Sequence, residues 1–146
     1  MDEEFEKKLA NVVERLRRSQ AEGEADRDRD RRKARERVLA ELPRLESRIR
    51  AVMAEINDTL ALENMSLRLA TSNHSPVAEA VYTISVTGLP YPEPVLMLIA
   101  EGQGRVRAML ERDHHRALVE SIDVFELDKA KLAHLVLALL EAHAWP

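Results

Sequence analysis

The side chains with the clearest chemical potential in this sequence stand together at Asp113, His114 and His115. Imidazole and carboxylate groups bind several divalent metal ions, so this trio could belong to a metal site or a phosphoester-cleaving site. Adjacent residues of a strand point to opposite faces, however, and no second cluster of carboxylates accompanies the trio. We therefore interpret Asp113–His115 as a polar turn. A small-ligand binder or an enzyme that uses these residues is the alternative.

The other reactive residue types form no catalytic or metal-binding pattern. His134 and His143 lie nine residues apart, which places them on opposite sides of a helix that turns by about 100° per residue. The serines show no nucleophile-elbow motif, and Gly102–Gly104 lacks the lysine and the following helix of a phosphate loop. The chain has no cysteine, which excludes disulfides and thiolate-bound zinc. We predict a protein that is not an enzyme and that holds neither a cofactor nor a metal.

The composition predicts where the protein resides and what it avoids. Its net charge of −4 disfavours general attraction to nucleic acid or to an anionic membrane surface. No run of about 18 apolar residues could form a membrane-spanning helix, and the acidic start MDEEFEKKLA is not a secretory signal. The preference for arginine over lysine, with abundant alanine and leucine, is typical of GC-rich bacterial genomes. We expect a bacterial, cytoplasmic protein that does not bind membranes.

The segment Glu24–Arg37 consists almost entirely of charged side chains of both signs. Asp26, Asp28 and Asp30 alternate with arginines, and these aspartates would repel the phosphates that the arginines attract. The segment has no aromatic residue that could stack on a base. We interpret it as a solvated helix or linker and do not expect the protein to bind nucleic acid. Contact between the basic end, Arg31–Arg37, and nucleic acid or another anion is the alternative.

Residues 1–63 are predicted to form a helical arm, and an apolar series with helical spacing opens it. The members follow one another at intervals of four, three and four residues, as on a helix that packs against one partner. They are Phe5, Leu9, Val12 and Leu16.

A second series with heptad spacing predicts a coiled coil with another copy of the chain. A homodimer is the simplest such assembly, because two-fold dimers are the commonest closed oligomers. The residues predicted to self-associate are Val38, Leu42, Leu45, Ile49, Val52 and Ile56.

The two series do not share one heptad frame, which indicates an interruption between them. Gly23 disfavours a helix by about 1 kcal/mol. Pro43 lacks a backbone donor and crowds the preceding turn. We therefore predict that the arm is broken or folded into a hairpin, with a charged spacer near residues 20–37. One long helix is the alternative.

Residues 64–146 are predicted to form an α+β domain. Apolar and polar residues alternate here with a period of two, and turn-forming residues separate four or five segments typical of strands in an antiparallel meander. Asp128 is a suitable N-cap for a C-terminal helix, whose apolar stripe from Leu132 to Leu140 should pack on the sheet. Leu137 and Trp145 fall outside that stripe and are candidates for a surface that contacts a partner.

The predicted fold is therefore α+β: an N-terminal helical or coiled-coil arm, an antiparallel meander of four or five strands, and a C-terminal helix packed on it. These features favour a non-catalytic protein–protein interaction or adaptor protein that self-associates through its arm and binds a further, unidentified protein. The alternative is a secretion-type chaperone for a client protein, by analogy with small, acidic, dimeric α+β proteins of bacterial secretion systems.

Overall fold

The structure is a computed structural model that describes residues 2–72, 78–91 and 93–144. Within these residues it has a long N-terminal helix, a five-stranded antiparallel sheet and a C-terminal helix, which confirms the predicted α+β fold. A short 3-10 turn, Ala61–Glu63, leads from the first helix to the sheet. The helices and strands are α1 (Glu3–Leu60), β1 (Ser66–Ser72), β2 (Ala78–Thr87), β3 (Val95–Glu101), β4 (Arg105–Arg112), β5 (His115–Asp123) and α2 (Lys129–Ala144).

Helix α1 is continuous, so the predicted break or hairpin near residues 20–37 is wrong. Gly23 costs the helix about 1 kcal/mol, which a helix of this length tolerates. An ion pair one turn apart, with Arg29 Nη2 at 2.7 Å from Asp26 Oδ1, supports the charged segment. Pro43 is exposed, and buried residues on both sides of it hold the helix in place.

The chain divides into two compact units, residues 1–36 and 37–146. In the first unit, the described residues form the N-terminal part of α1 and no other helix or strand. The second unit contains the remainder of α1 together with the sheet and α2. It begins inside α1, at Arg37, whereas the sequence placed the start of the α+β domain at residue 64.

The strands follow one another across the sheet in chain order, and each is antiparallel to the next. This meander needs only short connections, because antiparallel neighbours can be joined by a tight turn. Successive residues of a strand point to opposite faces, and in β2 every second residue from Ala80 to Val86 is buried. We call the face that carries these buried residues the inner face, and the opposite face the outer face.

The part of α1 that belongs to the second unit and helix α2 lie on the inner face, where their apolar side chains and those of the strands form one hydrophobic core. Two hydrogen bonds show that α1 crosses the whole sheet. Asn57 Oδ1 accepts a bond from the backbone N–H of Leu67 in β1, and Arg48 Nη2 donates to the carbonyl oxygen of Val124, just after β5. The largest fully buried side chains are Leu45, Ile49, Ile84, Leu96, Leu98, Val106, Val124, Leu127, Leu132, Val136 and Leu139.

The heptad series that was predicted to self-associate lies in this core, within a single chain. Its five members from Val38 to Val52 are at most 9% exposed, and Ile56 is half-buried against the same cluster. The inner face of the sheet is therefore the partner that the sequence analysis assigned to a second chain. Heptad spacing reports a narrow apolar stripe on a helix, and a sheet can cover such a stripe as a second helix would. Self-association itself stays a prediction.

Two polar contacts accompany this packing. Glu41, which is 9% exposed, accepts a hydrogen bond from Arg48 Nη1 at 2.8 Å. The hydroxyl of Tyr82 in β2 donates to the carbonyl oxygen of Leu42 at 3.4 Å. Burial raises the pKa of Tyr82, and the negative charge of Glu46 raises it further. The hydrogen bond from Tyr82 to Leu42 ties β2 directly to α1.

Helix α2 begins and packs as the sequence predicted. Asp128 Oδ1 accepts a hydrogen bond from the backbone N–H of Lys131 at 2.8 Å, which confirms the N-cap. The ammonium group of Lys131 also lies 2.6 Å from Glu120 on the inner side of β5. The apolar stripe is buried, with Leu140 only partly so: Leu132, Leu135, Val136, Leu139 and Leu140.

Replacing Leu139 by alanine should strongly lower the stability of the second unit. Leu139 is fully buried, and truncating a buried leucine removes its transfer free energy and leaves a cavity, at a cost of about 2–5 kcal/mol. Glu141 is exposed on the other side of α2, so Glu141→Ala should leave the melting temperature almost unchanged. Scanning calorimetry compares the two variants. Equal melting temperatures would show that α2 does not pack on the sheet.

The protein should lose stability in alkaline solution through Tyr82. The pKa of Tyr82 is raised in the folded chain above the ordinary tyrosine value of 10.0. Above about pH 10 the unfolded chain therefore releases the phenolic proton while the folded chain retains it, and the free energy of unfolding falls. This contribution is fully present below pH 10. Tyr82→Phe should remove it, whereas Tyr91→Phe, at an exposed position, should not. Urea unfolding between about pH 9 and 11 measures the difference, and identical pH dependence in both variants would contradict it.

Candidate interaction surfaces

The first apolar series, Phe5, Leu9, Val12 and Leu16, forms an exposed stripe on α1, which we call the N-terminal stripe. Its side chains are between 48% and 62% exposed. At about 100° per residue they fall within an arc of about 60°, so they form one face of the helix. No described residue of the first unit covers them. A face of this width is suited to one partner helix.

The charged segment Glu24–Arg37 follows this stripe along the same helix. It is helical and exposed along its whole length, as expected of a solvated helix. At its end, the guanidinium of Arg37 lies 5.7 Å from the centre of the Phe125 ring, within the second unit. Acidic and basic groups alternate over residues 26–30, whereas Glu36 is the one acidic residue among residues 31–37. The aspartates of the first half oppose contact with a polyanion.

The outer face of the sheet is a surface of the second unit that none of this unit's described helices or strands covers. Its side chains are mainly half-buried by their own neighbours, as in β2 and β3. Ile99 is the exception in the centre, at 6% exposed, while Leu118 on the edge strand β5 is 58% exposed. The face is therefore open and partly apolar.

The two edges of the sheet, β1 and β5, differ in how they are protected. On β1, the side chain of Asn57 occupies the outward backbone groups of Leu67, because Oδ1 accepts from the N–H at 2.6 Å and Nδ2 donates to the carbonyl oxygen at 3.5 Å. On β5, a register shift opposite Ala108 and Met109 interrupts the ladder. Capped or irregular edges disfavour the addition of a foreign strand.

Asp113 and His114 form the two-residue connection between β4 and β5, and His115 begins β5. Both connecting residues have positive φ, 52° and 66°, as expected for the tight turns that suit hairpins. The backbone N–H of Asp113 donates to Glu93 Oε2 at 2.8 Å. The structure thus places Asp113 and His114 in a turn and His115 at the start of a strand. Within the described residues, no group of three His, Cys, Asp or Glu side chains is arranged to hold a metal ion.

A cleft of about 520 Å³ lies beside this turn, with Tyr91 and Glu93 among its lining residues. Its other polar groups already make structural bonds. Arg112 Nη2 donates to the carbonyl oxygen of Ala142 at 2.9 Å, and His143 Nε2 donates to that of Pro94 at 2.9 Å. These bonds hold the C-terminal end of α2 to the β2–β3 connection and to β4. His134 is exposed and does not line this cleft.

Of the two residues predicted to contact a partner, the structure describes one. Leu137 is 49% exposed, on the side of α2 that faces away from the core. Trp145 lies outside the described residues. The outer face was not predicted as an interaction surface, because period-two alternation identifies the buried positions of a strand without showing what covers the other side.

No helix in the described part of the chain is long and apolar enough to cross a membrane. Comparisons of the chain with protein families, with curated proteins and with solved structures give no match.

Duplex DNA should not bind the protein measurably at physiological salt. Exposed charges are screened beyond about 8 Å, and the interleaved aspartates of Glu24–Arg37 oppose phosphate contacts. An electrophoretic mobility assay at sub-micromolar protein checks this expectation. The matched variant replaces Arg31, Arg32, Lys33 and Arg35 by alanine. A salt-dependent shift with the natural chain that disappears in this variant would contradict the prediction.

Proposed function

We propose that this chain is a non-catalytic, cytoplasmic interaction protein that self-associates through the N-terminal part of α1. The observation that carries the proposal is the N-terminal stripe: four large apolar side chains at heptad spacing, each about half-exposed on a helical unit with no described second element. Apolar seams of this kind exclude water by packing against a second helix. A second copy of the chain supplies an identical seam and is the simplest partner.

This proposal moves the self-association surface from the second heptad series to the first. The series from Val38 to Ile56 is committed to the core of its own chain. The N-terminal stripe has the same spacing but lies in the other unit. It is short, with four apolar residues over three turns, so we expect an affinity in the micromolar range, well below that of a long coiled coil.

The structural roles of the residues with reactive side chains support the non-catalytic part of the proposal. Asp113 and His114 provide the left-handed backbone conformations of a hairpin turn, and Arg112 and His143 hold α2 to neighbouring segments. Each of these groups has a structural task that accounts for its position. The adaptor part rests on Leu137, whose exposed side chain offers a contact for a further protein outside the N-terminal stripe.

Glutamate at Leu9 and Leu16 should abolish association through the N-terminal stripe. Two carboxylates would have to be buried in the seam, and like charges would face each other across a two-fold axis. Multi-angle light scattering at concentrations on the order of tens of micromolar should show a lower mass than for the natural chain.

The matched control places glutamates at Asn11 and Ala21. Both are exposed on the opposite side of the helix, so the change in net charge is the same. The control should keep the natural mass. An unchanged mass in the Leu9→Glu, Leu16→Glu variant would exclude the N-terminal stripe as the association surface.

A further inference from the structure

Three adjacent rows of side chains run across the strands in the middle of the outer face of the sheet. The central row, defined by the strand register, holds one residue from each strand and no charge. One flanking row places Ile99 beside Arg107, and the other places Val95 beside Glu111. The members of the central row are Ala70, Thr83, Met97, Met109 and Leu118.

This central row has the character of a contact surface. Met97 and Met109 are half-buried and directly paired in the sheet, and Leu118 is 58% exposed. Methionine side chains adapt to opposing surfaces and are common where proteins bind one another. No described element of the second unit covers the row, and the neighbouring half-buried Val95 extends its apolar area.

We propose that the outer face packs against the outer face of a second copy, with the two-fold axis along the central row. Rotation about this axis sets each strand opposite itself and sets one flanking row opposite the other. Arg107 then faces Glu111 of the second copy, and Glu111 faces Arg107. Ile99 faces Val95 in the same way. The charged residues of β4 in the two copies are thus complementary, and Ile99 meets Val95.

The charge pattern favours this two-fold axis over the other one that lies in the plane of the interface, which runs parallel to the strands. An axis along β3 would set β1 opposite β5 and bring Arg68 against Arg116, with Arg107 over an apolar valine, Val81. With the axis along the central row, Arg68 and Arg116 both face serines of the opposing row, Ser72 and Ser121. Like charges in direct opposition are costly, whereas opposite charges fix the register.

Arg107 and Glu111 cannot satisfy each other within one chain. They lie four residues apart on β4, about 13 Å along the strand. Within the chain, Arg107 Nε lies 2.6 Å from Glu101 Oε1, and Glu111 Oε1 lies 3.8 Å from Arg116 Nε. The long Glu111–Arg116 separation leaves the carboxylate able to accept the second copy's guanidinium. Aligned sheets pack with strands within about 30° of each other, a rotation that both side chains are long enough to follow.

The size of the face suits a stable dimer. Five strands about 4.8 Å apart and about seven residues long give a plan area of roughly 550 Å². Because the side chains project from the sheet, its accessible surface is larger than this flat area. Standard interfaces bury about 800 Å² on each partner. The proposed contact uses no residue of the N-terminal stripe, so it goes beyond the proposed function and does not rest on it.

Sedimentation velocity of the full chain separates the two interfaces. With both present, the natural chain should form assemblies larger than a dimer, and Leu9→Glu with Leu16→Glu should leave a dimer. Lysines at Met97 and Met109 face their own counterparts across the axis and should also remove one association step. All four substitutions together should give a monomer. A monomeric Leu9→Glu, Leu16→Glu variant would overturn the sheet-face interface while supporting the N-terminal stripe.

The matched control for the lysines is Ser47→Lys with Gln103→Lys, at exposed positions off the outer face, which should sediment like the natural chain. If the Met97→Lys, Met109→Lys variant does so too, the sheet-face interface is excluded. Thermal melting of each variant verifies that the second unit is folded.

A charge exchange tests the two-fold geometry itself. Arg107→Glu and Glu111→Arg should each weaken this association step by about tenfold, because each sets like charges opposite one another. The double variant should recover most of the loss. Its rescue is specific to the contact between copies, since Arg107→Glu repels Glu101 within the chain and Glu111→Arg does not relieve that. A double variant that associates no better than either single one overturns the proposed axis.

Discussion

Burial of one face of α1 against the inner face of the sheet is the contact on which the second unit depends. A meander is built from hairpins, and isolated hairpins are only marginally stable in water. Because α1 crosses from Leu67 in β1 to Val124 after β5, one helix supplies apolar contact to the whole meander. The Tyr82 hydroxyl and the Glu41–Arg48 pair fix polar groups along that contact. Helix α2 packs on the same face of the sheet and contacts β3.

The elements of this fold were predictable wherever local chemistry specifies them. Period-two alternation identified β1, β2 and β4, Asp128 identified the start of α2, and the polar residues Asp113 and His114 proved to form a hairpin turn. Each of these signals depends on a residue's own backbone preference or on which side of its element is buried. Such preferences act over a few residues and can be recognised in a single sequence.

What covers each apolar stripe was not predictable, because the spacing of a stripe carries no information about its partner. The series from Val38 to Ile56 and the series from Phe5 to Leu16 have the same intervals, yet one is core and the other is exposed. The continuity of α1 through Gly23 was only the alternative prediction, yet a penalty of about 1 kcal/mol decides little in a long helix. The rows of the outer face are defined by which residues pair between neighbouring strands, and the sequence pattern does not specify that pairing.

The distribution of apolar surface gives the two units different parts in the proposed assembly. The first unit offers a narrow helical seam, and the second offers a broad sheet face framed by charges of both signs. A narrow seam with little charge on it tolerates several registers, whereas a face with opposed Arg107 and Glu111 admits few. The outer face of the sheet would therefore determine most of the specificity of assembly, and the N-terminal stripe would add avidity.

The order of elements along the chain also bears on how the protein is made. The apolar face of α1 leaves the ribosome before any strand that will cover it, and β5 follows Ile56 by about 60 residues. At a synthesis rate of about 5–20 residues per second, that face waits for several seconds without its sheet. During this interval the nascent chain is a helix with a bare hydrophobic side, the kind of surface that chaperones hold and that other nascent chains can capture. The charged segment Glu24–Arg37 directly precedes Val38. Its charges would disfavour aggregation of this apolar face until the strands have been synthesised.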